Sequence, residues 1–274
     1  MTIDTPTMRH RFAGQSAIEE LLRVQGGTPP RSGVAQFFGR SPLGADSVAW
    51  YVGAKGEQVV GAILEALPPV WTVFHALPVG PDGADIDHVV VGPAGVFTIS
   101  SKHHHHMNIV VSGRNVLVAG QRRPCIPDAE AEAASVSALM RERMPRSTSA
   151  RPVVAIVHPR KLTMTEKPAQ VKVIDAKNLR DWLVALPPVL AWPERMELNA
   201  VIDSPATWRA EPGAEPGVPP EDLPARFAAL DADVRAARIR RGLWRLLGIG
   251  AAASAVIIIV SELGLGLVQL LTSG

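Results

Sequence analysis

Three charged side chains of this sequence could act together on a phosphate group: Glu57, Asp87 and Lys102. Asp87 lies in the segment DIDHVVVG and Lys102 ends the segment GVFTISSK, with the turn signal GPAG between them. Because side chains alternate along a strand, pairing through that turn places Asp87 and Lys102 near the same open end of a sheet. Glu57, in the preceding helical segment, could add a second carboxylate to the same pocket.

These residue types suit metal-assisted hydrolysis. A carboxylate can hold Mg²⁺ or Mn²⁺ through oxygen, and the cation can polarise a phosphate and activate water. The ammonium group of Lys102 can stabilise charge that develops on the phosphate or orient the attacking water. The pattern therefore indicates a divalent metal held by Asp87 and Glu57.

The elements that must position these residues follow an α/β order. A helix is predicted over SVAWYVGAKGEQVVGAILEAL, followed by the strands VWTVFHAL, DIDHVVVG and GVFTISSK. A hairpin turning at Gly113, an Ala-rich helix N-capped by Asp128, the strands RPVVAIVH and VKVIDA, and a short helix KNLRDWLVAL complete the pattern. This order predicts a sheet covered by helices, and it excludes a dinucleotide fold because no GxGxxG follows the first strand.

The chain divides into four predicted regions. They are an N-terminal helical extension (1–48), the α/β domain (49–200), a Pro/Gly-rich linker with a basic helix (201–242), and a transmembrane helix (243–271). Five arginines precede the final apolar run and no Lys or Arg follows it, which predicts a single-pass anchor with a cytoplasmic N-terminal side. The alternative is a buried or surface-lying hydrophobic helix, which Glu262 favours because a carboxylate in a bilayer is costly.

The composition fits a cytoplasm-facing protein. A net charge of +2 over 274 residues does not demand a nucleic-acid partner, and the single cysteine excludes an internal disulfide. The first residues contain no apolar run, so we expect no secretory signal peptide. The predicted location is the cell membrane, with the α/β domain in the cytoplasm.

Three central motifs resemble one known family. GAKGE, DIDHVVVGPAGVFTISSKHH and VLVAGQR look like the nuclease-related NERD domain of the actinobacterial type, and the resemblance covers roughly residues 10 to 185. That family is similar to the PD-(D/E)XK nucleases, which implies a central mixed sheet flanked by helices and a metal-dependent phosphodiesterase acting on nucleic acid. The resemblance matches Glu57 to the helix glutamate, Asp87 to the metal-binding aspartate and Lys102 to the motif lysine. Gln121 matches the family's GQR and could contact substrate phosphate or cap a turn.

Ser100 departs from the family pattern, which has an acidic residue two positions before the lysine. A hydroxyl is a poorer Mg²⁺ ligand than a carboxylate, so this change weakens the site. Two functions therefore stay open. One is a membrane-anchored metal-dependent nuclease, and the other is a non-catalytic, membrane-tethered binding module with a degenerate nuclease site.

Four consecutive histidines, His103 to His106, follow the lysine. In an extended chain His104 and His106 share the face of Lys102, whereas His103 and His105 point to the other face. Adjacent residues of one strand cannot all bind one ion, so a solvated strand end is the favoured interpretation. His104 is the best metal ligand of the four, because it could replace the missing carboxylate and shift the preference toward Mn²⁺ or Zn²⁺.

Overall fold

The computed structural model describes residues 7–79, 85–208 and 220–272, without the side chains of 220, 251–253, 255 and 257–272. The chain forms two compact units. The first comprises Met1–Arg23 and Val48–Pro219, and the second comprises Val24–Ser47 and Pro220–Gly274.

Nine strands and seven α-helices lie within the described residues. The strands are β1 (Thr72–Pro78), β2 (Asp85–Gly92), β3 (Gly95–His103), β4 (Asn108–Ser112), β5 (Asn115–Val118), β6 (Gln121–Arg123), β7 (Arg151–Val157), β8 (Lys161–Glu166) and β9 (Lys172–Asp175). The helices are α1 (Gln15–Gly26), α2 (Gly33–Phe37), α3 (Ser47–Glu65), α4 (Cys125–Arg143), α5 (Leu179–Val184), α6 (Trp192–Asp203) and α7 (Leu223–Thr272).

A mixed five-stranded sheet with the order β1-β2-β3-β7-β9 forms the centre of the first unit. The first three strands are antiparallel neighbours, whereas β7 pairs parallel with β3 and β9 parallel with β7. The expected mixed sheet flanked by helices is therefore confirmed. The turn 92–95 pairs Gly92 with Gly95, as the GPAG signal predicts, and so aligns β2 with β3.

Helices bury both faces of this sheet. Val89 and Val91 pack in one apolar cluster with residues of α4 and α6, whereas Val90 packs in another with residues of α3 and α5. This division follows from strand geometry, since successive side chains point to opposite faces. The two layers hold β2 and β3, and hence Asp87 and Lys102, between α3 and α4.

A second sheet with the order β6-β5-β4-β8 was not expected. Its β4 and β5 form the expected hairpin around Gly113, whose φ of 54° suits glycine. In this second sheet β4 pairs parallel with β8, just as β3 pairs parallel with β7 in the first sheet. Sequence analysis missed β8 because its side chains are mostly polar and exposed, without an apolar alternation.

Several element boundaries differ from the predicted ones. Helix α4 begins at Cys125 with Pro124 at the N-cap position, so Asp128 lies in the first turn and is not the cap. Glu57 lies in the middle of α3. Helix α6 was not predicted and includes residues assigned to the linker. The proline-rich residues 209–219 lie outside the described residues, and the four predicted domain boundaries stay predictions.

The second unit contains α2 and α7. The Trp244 ring lies 5.0 Å from Phe37 and 4.9 Å from Phe38, and its Nε1–H donates to the Phe37 carbonyl at 2.9 Å. Arg31 forms an ion pair with Asp233 of α7. These contacts join the short helix to the first half of the long one.

The transmembrane helix predicted over residues 243–271 is not supported by the structure. Across the described residues, none of the helices has a stretch that is both long and apolar enough to cross a membrane. The described side chains of α7 include six arginines that make this part of the helix polar: Arg226, Arg235, Arg238, Arg240, Arg241 and Arg245. Most side chains of the apolar run after residue 250 lie outside the description.

Candidate functional site

The structure brings Asp87 and Lys102 together at one end of the central sheet. Asp87 Oδ2 accepts a hydrogen bond of 2.6 Å from the backbone N–H of Ser101, the residue next to Lys102. The positive charge of Lys102 in turn lowers the pKa of Asp87 against the larger effect of burial. The antiparallel β2/β3 register thus produces the pairing that the sequence predicts.

Glu57 approaches the same site from α3. Its side chain is buried, and it accepts a hydrogen bond from the backbone N–H of Gly14. Gly14 has a φ of 84°, and a Cβ at this position would lie 3.2 Å from the Ala54 carbonyl oxygen. Both observations require glycine, because larger residues rarely adopt this conformation and would crowd α3. The N-terminal segment before α1 therefore helps to position Glu57.

Glu132 is a site residue that sequence analysis missed. The Ser100 hydroxyl donates to Glu132 Oε1 at 3.4 Å, so a carboxylate from α4 lies beside the position where the family has an acidic residue. Beside the effect of burial, Asp87 raises the pKa of Glu132, whereas Lys102 lowers the pKa of Glu132. The three side chains are therefore close enough to interact electrostatically. A carboxyl group from α4 therefore contacts Ser100 of β3.

The site concentrates carboxyl groups that are costly to ionise. Burial, followed by repulsion from Asp87, raises the pKa of Glu132 to about 7. Burial also raises the pKa of Glu57, Asp85 and Asp87, and the neighbouring carboxylates add to each shift. Burial alone would lower the pKa of Lys102, but Asp87 and Glu132 reverse this effect and raise it. The lysine therefore stays charged while the carboxyl groups repel one another.

This donor set suits a hard divalent cation. Glu57 Oε2, Asp85 Oδ2 and Glu132 Oε2 are buried oxygen atoms that make no hydrogen bond. A cation would compensate both their desolvation and their mutual repulsion. The carboxylate oxygens of Asp87, Glu57 and Glu132 do not all lie within 4.8 Å of one another. Two of them suffice for Mg²⁺, which is commonly held by one or two carboxylates together with water and substrate oxygens.

One family model matches the region of the chain that contains this site. Residues 52–157 match the family model described as the nuclease-related domain, NERD, and this range includes Glu57, Asp87, Lys102 and Glu132. Residues 52–157 of the chain therefore correspond to a NERD domain. No curated protein and no solved structure matches the chain.

Two further residues predicted for the NERD site lie at its periphery. Gln121 is the exposed first residue of β6, directly after a tight turn in which Ala119 and Gly120 have positive φ, and its Oε1 accepts from Arg123 at 3.1 Å. Its role toward substrate stays a prediction. His104 follows β3, and its Nε2 is buried without a hydrogen bond. Burial lowers the pKa of His104, and the positive charges of Arg123 and Lys102 lower it further. A metal-ligand role for His104 also stays a prediction.

Proposed function

We propose that this NERD domain hydrolyses phosphodiester bonds of nucleic acid with a divalent metal, as PD-(D/E)XK nucleases do. The observation that carries the proposal is the contact of Glu132 with Ser100. It would supply the acidic group that the sequence lacks at position 100, beside Asp87 and Lys102. Matching the nuclease-related family model supports nucleic acid as the substrate class.

In this proposal Asp87 and Glu57 hold Mg²⁺ or Mn²⁺, and Glu132 provides the third acidic group. The bound metal would supply a polarised phosphate and an activated water. Asp87 is held in place by the Ser101 N–H, and Glu57 by the Gly14 N–H. Such fixed carboxylates bind a cation without losing much side-chain entropy on binding.

Lys102 acts on the phosphate in this proposal. Its ammonium group stays charged because Asp87 and Glu132 raise its pKa. A fixed charge in a partly buried site stabilises developing negative charge more strongly than a charge in water. Lys102 also limits repulsion among the carboxylates, since its charge lowers the pKa of Glu57, Asp87 and Glu132.

The second candidate function is a binding module with a degenerate nuclease site, which Ser100 favours. Moving the acidic group from position 132 to position 100 distinguishes the nuclease from the binding module. Glu132→Ala should abolish Mg²⁺-dependent cleavage of nucleic acid, and Ser100→Glu added to Glu132→Ala should restore part of it. A wild-type protein that neither binds Mg²⁺ or Mn²⁺ nor cleaves DNA or RNA, while its circular dichroism shows a folded domain, would establish the binding module instead.

For localisation, we propose the cytoplasmic face of the cell membrane. Within the second unit, large apolar side chains are exposed near arginines of α7: Phe37, Phe38, Leu243, Leu246 and Leu247. Apolar side chains beside basic ones favour association with an anionic membrane surface. Fractionation of cells that express the full chain or a chain lacking residues 243–274 tests this proposal. A full chain recovered without membranes would contradict it.

A further inference from the structure

Three histidines from two separate segments converge at the junction between the two sheets. His103 ends β3, His105 lies in the turn between β3 and β4, and His158 follows β7. Each side chain offers a ring nitrogen, and these three atoms all lie within 4.8 Å of one another. Within the described part of the chain, no other three His, Cys, Asp or Glu side chains are gathered this closely.

The backbone fixes this convergence. His103 pairs with Val157 in the parallel β3/β7 ladder, so His158 is the next residue beyond the end of that ladder. The His104 N–H donates to the Val157 carbonyl, and the His106 N–H donates to the His158 carbonyl at 3.0 Å. His106 and His158 both have positive φ, at 57° and 50°. Such conformations carry strain for residues other than glycine and concentrate at functional sites.

The three rings form a nearly equilateral triangle. Their centroids are 6.1 Å apart for His103 and His105, 5.8 Å for His103 and His158, and 6.0 Å for His105 and His158. Zn–N bonds of about 2.0 Å to three imidazoles require nitrogen atoms roughly 3.3 Å apart in a tetrahedral site. His105 and His158 are exposed, so rotation of their side chains can bring the nitrogens to this distance.

His103 is oriented as a metal ligand would be. Its Nδ1 lies 3.2 Å from the carbonyl oxygen of Val52, and only an Nδ1–H can form a hydrogen bond with that acceptor. The proton on Nδ1 leaves the Nε2 lone pair available. A backbone carbonyl that fixes the ring in this way is the usual second contact of a zinc-binding histidine.

We infer that His103, His105 and His158 form a Zn²⁺ site at the junction between the two sheets. This site differs from the proposed nuclease site in ligand type and in position. Imidazole nitrogens select Zn²⁺ and related transition metals, whereas the carboxylates select Mg²⁺ or Mn²⁺. Lys102 and His103 are consecutive in β3, so their side chains point to opposite faces of the sheet.

The surroundings leave room for a metal to enter. His105 and His158 line a cleft of about 390 Å³ that also contains Asp175 and Lys177. Three histidines leave the fourth tetrahedral position open, and water can fill it from this cleft. The bound ion would join the turn after β3 to the turn after β7, and would fix the end of the strand that carries Lys102.

Titration of ZnCl₂ into the metal-free full-length protein by isothermal calorimetry tests this inference. We expect a saturable Zn²⁺ site that persists in Asp87→Asn, and a Tm that rises with Zn²⁺ because the ion binds the folded state more tightly than the unfolded chain. Loss of a residue that only orients a metal ligand costs about 10- to 100-fold in metal affinity. Loss of the ligand itself in His158→Asn should therefore lower the Zn²⁺ affinity by at least about 100-fold. Asparagine tolerates positive φ and therefore preserves the turn.

His106→Asn is the matched control, since His106 also has positive φ and lies beside His105 but outside the group of three. It should retain the wild-type Zn²⁺ affinity at the histidine site, and Asp87→Asn should do the same, because that substitution removes only Zn²⁺ bound by the carboxylates of the nuclease site. Three results would each overturn the inference: no saturable Zn²⁺ binding, equal losses in His106→Asn and His158→Asn, or loss of binding only in Asp87→Asn.

Discussion

Glu132 of α4 and Ser100 of β3 meet at 3.4 Å, with the serine hydroxyl as the donor. A serine alone at this position would remove an acidic group from a nuclease site. The glutamate brings a carboxylate next to this position from the neighbouring helix, and Lys102 lies close enough to lower its pKa. Under the proposed function, this carboxylate would compensate for the serine at position 100.

The first prediction concerns the two motif residues of β2 and β3. Asp87→Asn should abolish Mg²⁺- or Mn²⁺-dependent cleavage and weaken metal binding, since it removes the charge of a central ligand. Lys102→Ala should lower the cleavage rate by about 10²- to 10³-fold, the usual effect of losing one fixed electrostatic group, and should retain metal binding. Lys167→Ala is the control, because Lys167 is exposed. Equal rates for Lys102→Ala and Lys167→Ala would exclude a catalytic role for Lys102.

The second prediction concerns the stability of the metal-free protein. The pKa of Glu132 is about 7 in the folded protein and has its ordinary value of 4.5 in the unfolded chain. At this residue the folded state therefore binds more protons than the unfolded chain between these values, so the contribution of Glu132 to the free energy of unfolding should fall as pH rises from about 4.5 to about 7. Addition of Mg²⁺ at pH 8 should recover stability, because the cation compensates the ionised carboxylates.

Glu132→Gln isolates the contribution of this residue. Without metal at pH 8 the variant should be more stable than the wild type by on the order of 2 kcal/mol, and the difference should vanish near pH 4. Urea denaturation at both pH values measures it, with Glu142→Gln on the exposed side of the same helix as the control. If the wild type is as stable as Glu132→Gln at pH 8, the ionised Glu132 is not destabilising and the electrostatic description of the site is wrong.

The third prediction concerns His104. Its unbonded, buried Nε2 could complete the coordination of a metal held by the carboxylates. Because imidazole nitrogen is a better ligand for Mn²⁺ than for Mg²⁺, His104→Ala should reduce Mn²⁺-supported cleavage more than Mg²⁺-supported cleavage. Measuring both rates across metal concentrations separates affinity from turnover. Identical losses with the two metals would remove His104 from the ligand set.

The sheet could be predicted from the sequence because its signals are local. The apolar runs of β2 and β3 are joined by a short turn, so the approach of Asp87 to Lys102 follows from pairing two consecutive strands. Strand β8 gave no such signal, since its side chains are mostly polar and exposed. The expected transmembrane helix depended on an apolar run preceded by arginines, and no helix of the described residues is long and apolar enough to support it.

Glu132 and His158 could not be predicted because their contacts depend on tertiary packing. Ser100 and Glu132 are 32 positions apart, and their contact depends on how α4 packs on the sheet. A signal did exist, since Glu132 lies three residues after buried Ala129 and four before buried Val136. A carboxylate on the core-facing side of a helix has to have a partner. His158 approaches His103 only through the parallel pairing of β3 with β7.

The last prediction concerns the close approach of α3 to the end of β3. A Cβ at Gly56 would lie 2.9 Å from the His103 Cβ, whereas a Cβ at Gly53 in the same helix would meet no atom within 4 Å. Gly53→Ala should stabilise the protein by about 1 kcal/mol through helix propensity, and Gly56→Ala should destabilise it by about 1 to 3 kcal/mol through overpacking. Because Gly56 precedes Glu57 and His103 follows Lys102, Gly56→Ala should also slow metal-dependent cleavage. Urea denaturation and cleavage rates of both variants measure these effects. Equal stabilisation by the two alanines would show that α3 does not pack tightly on β3.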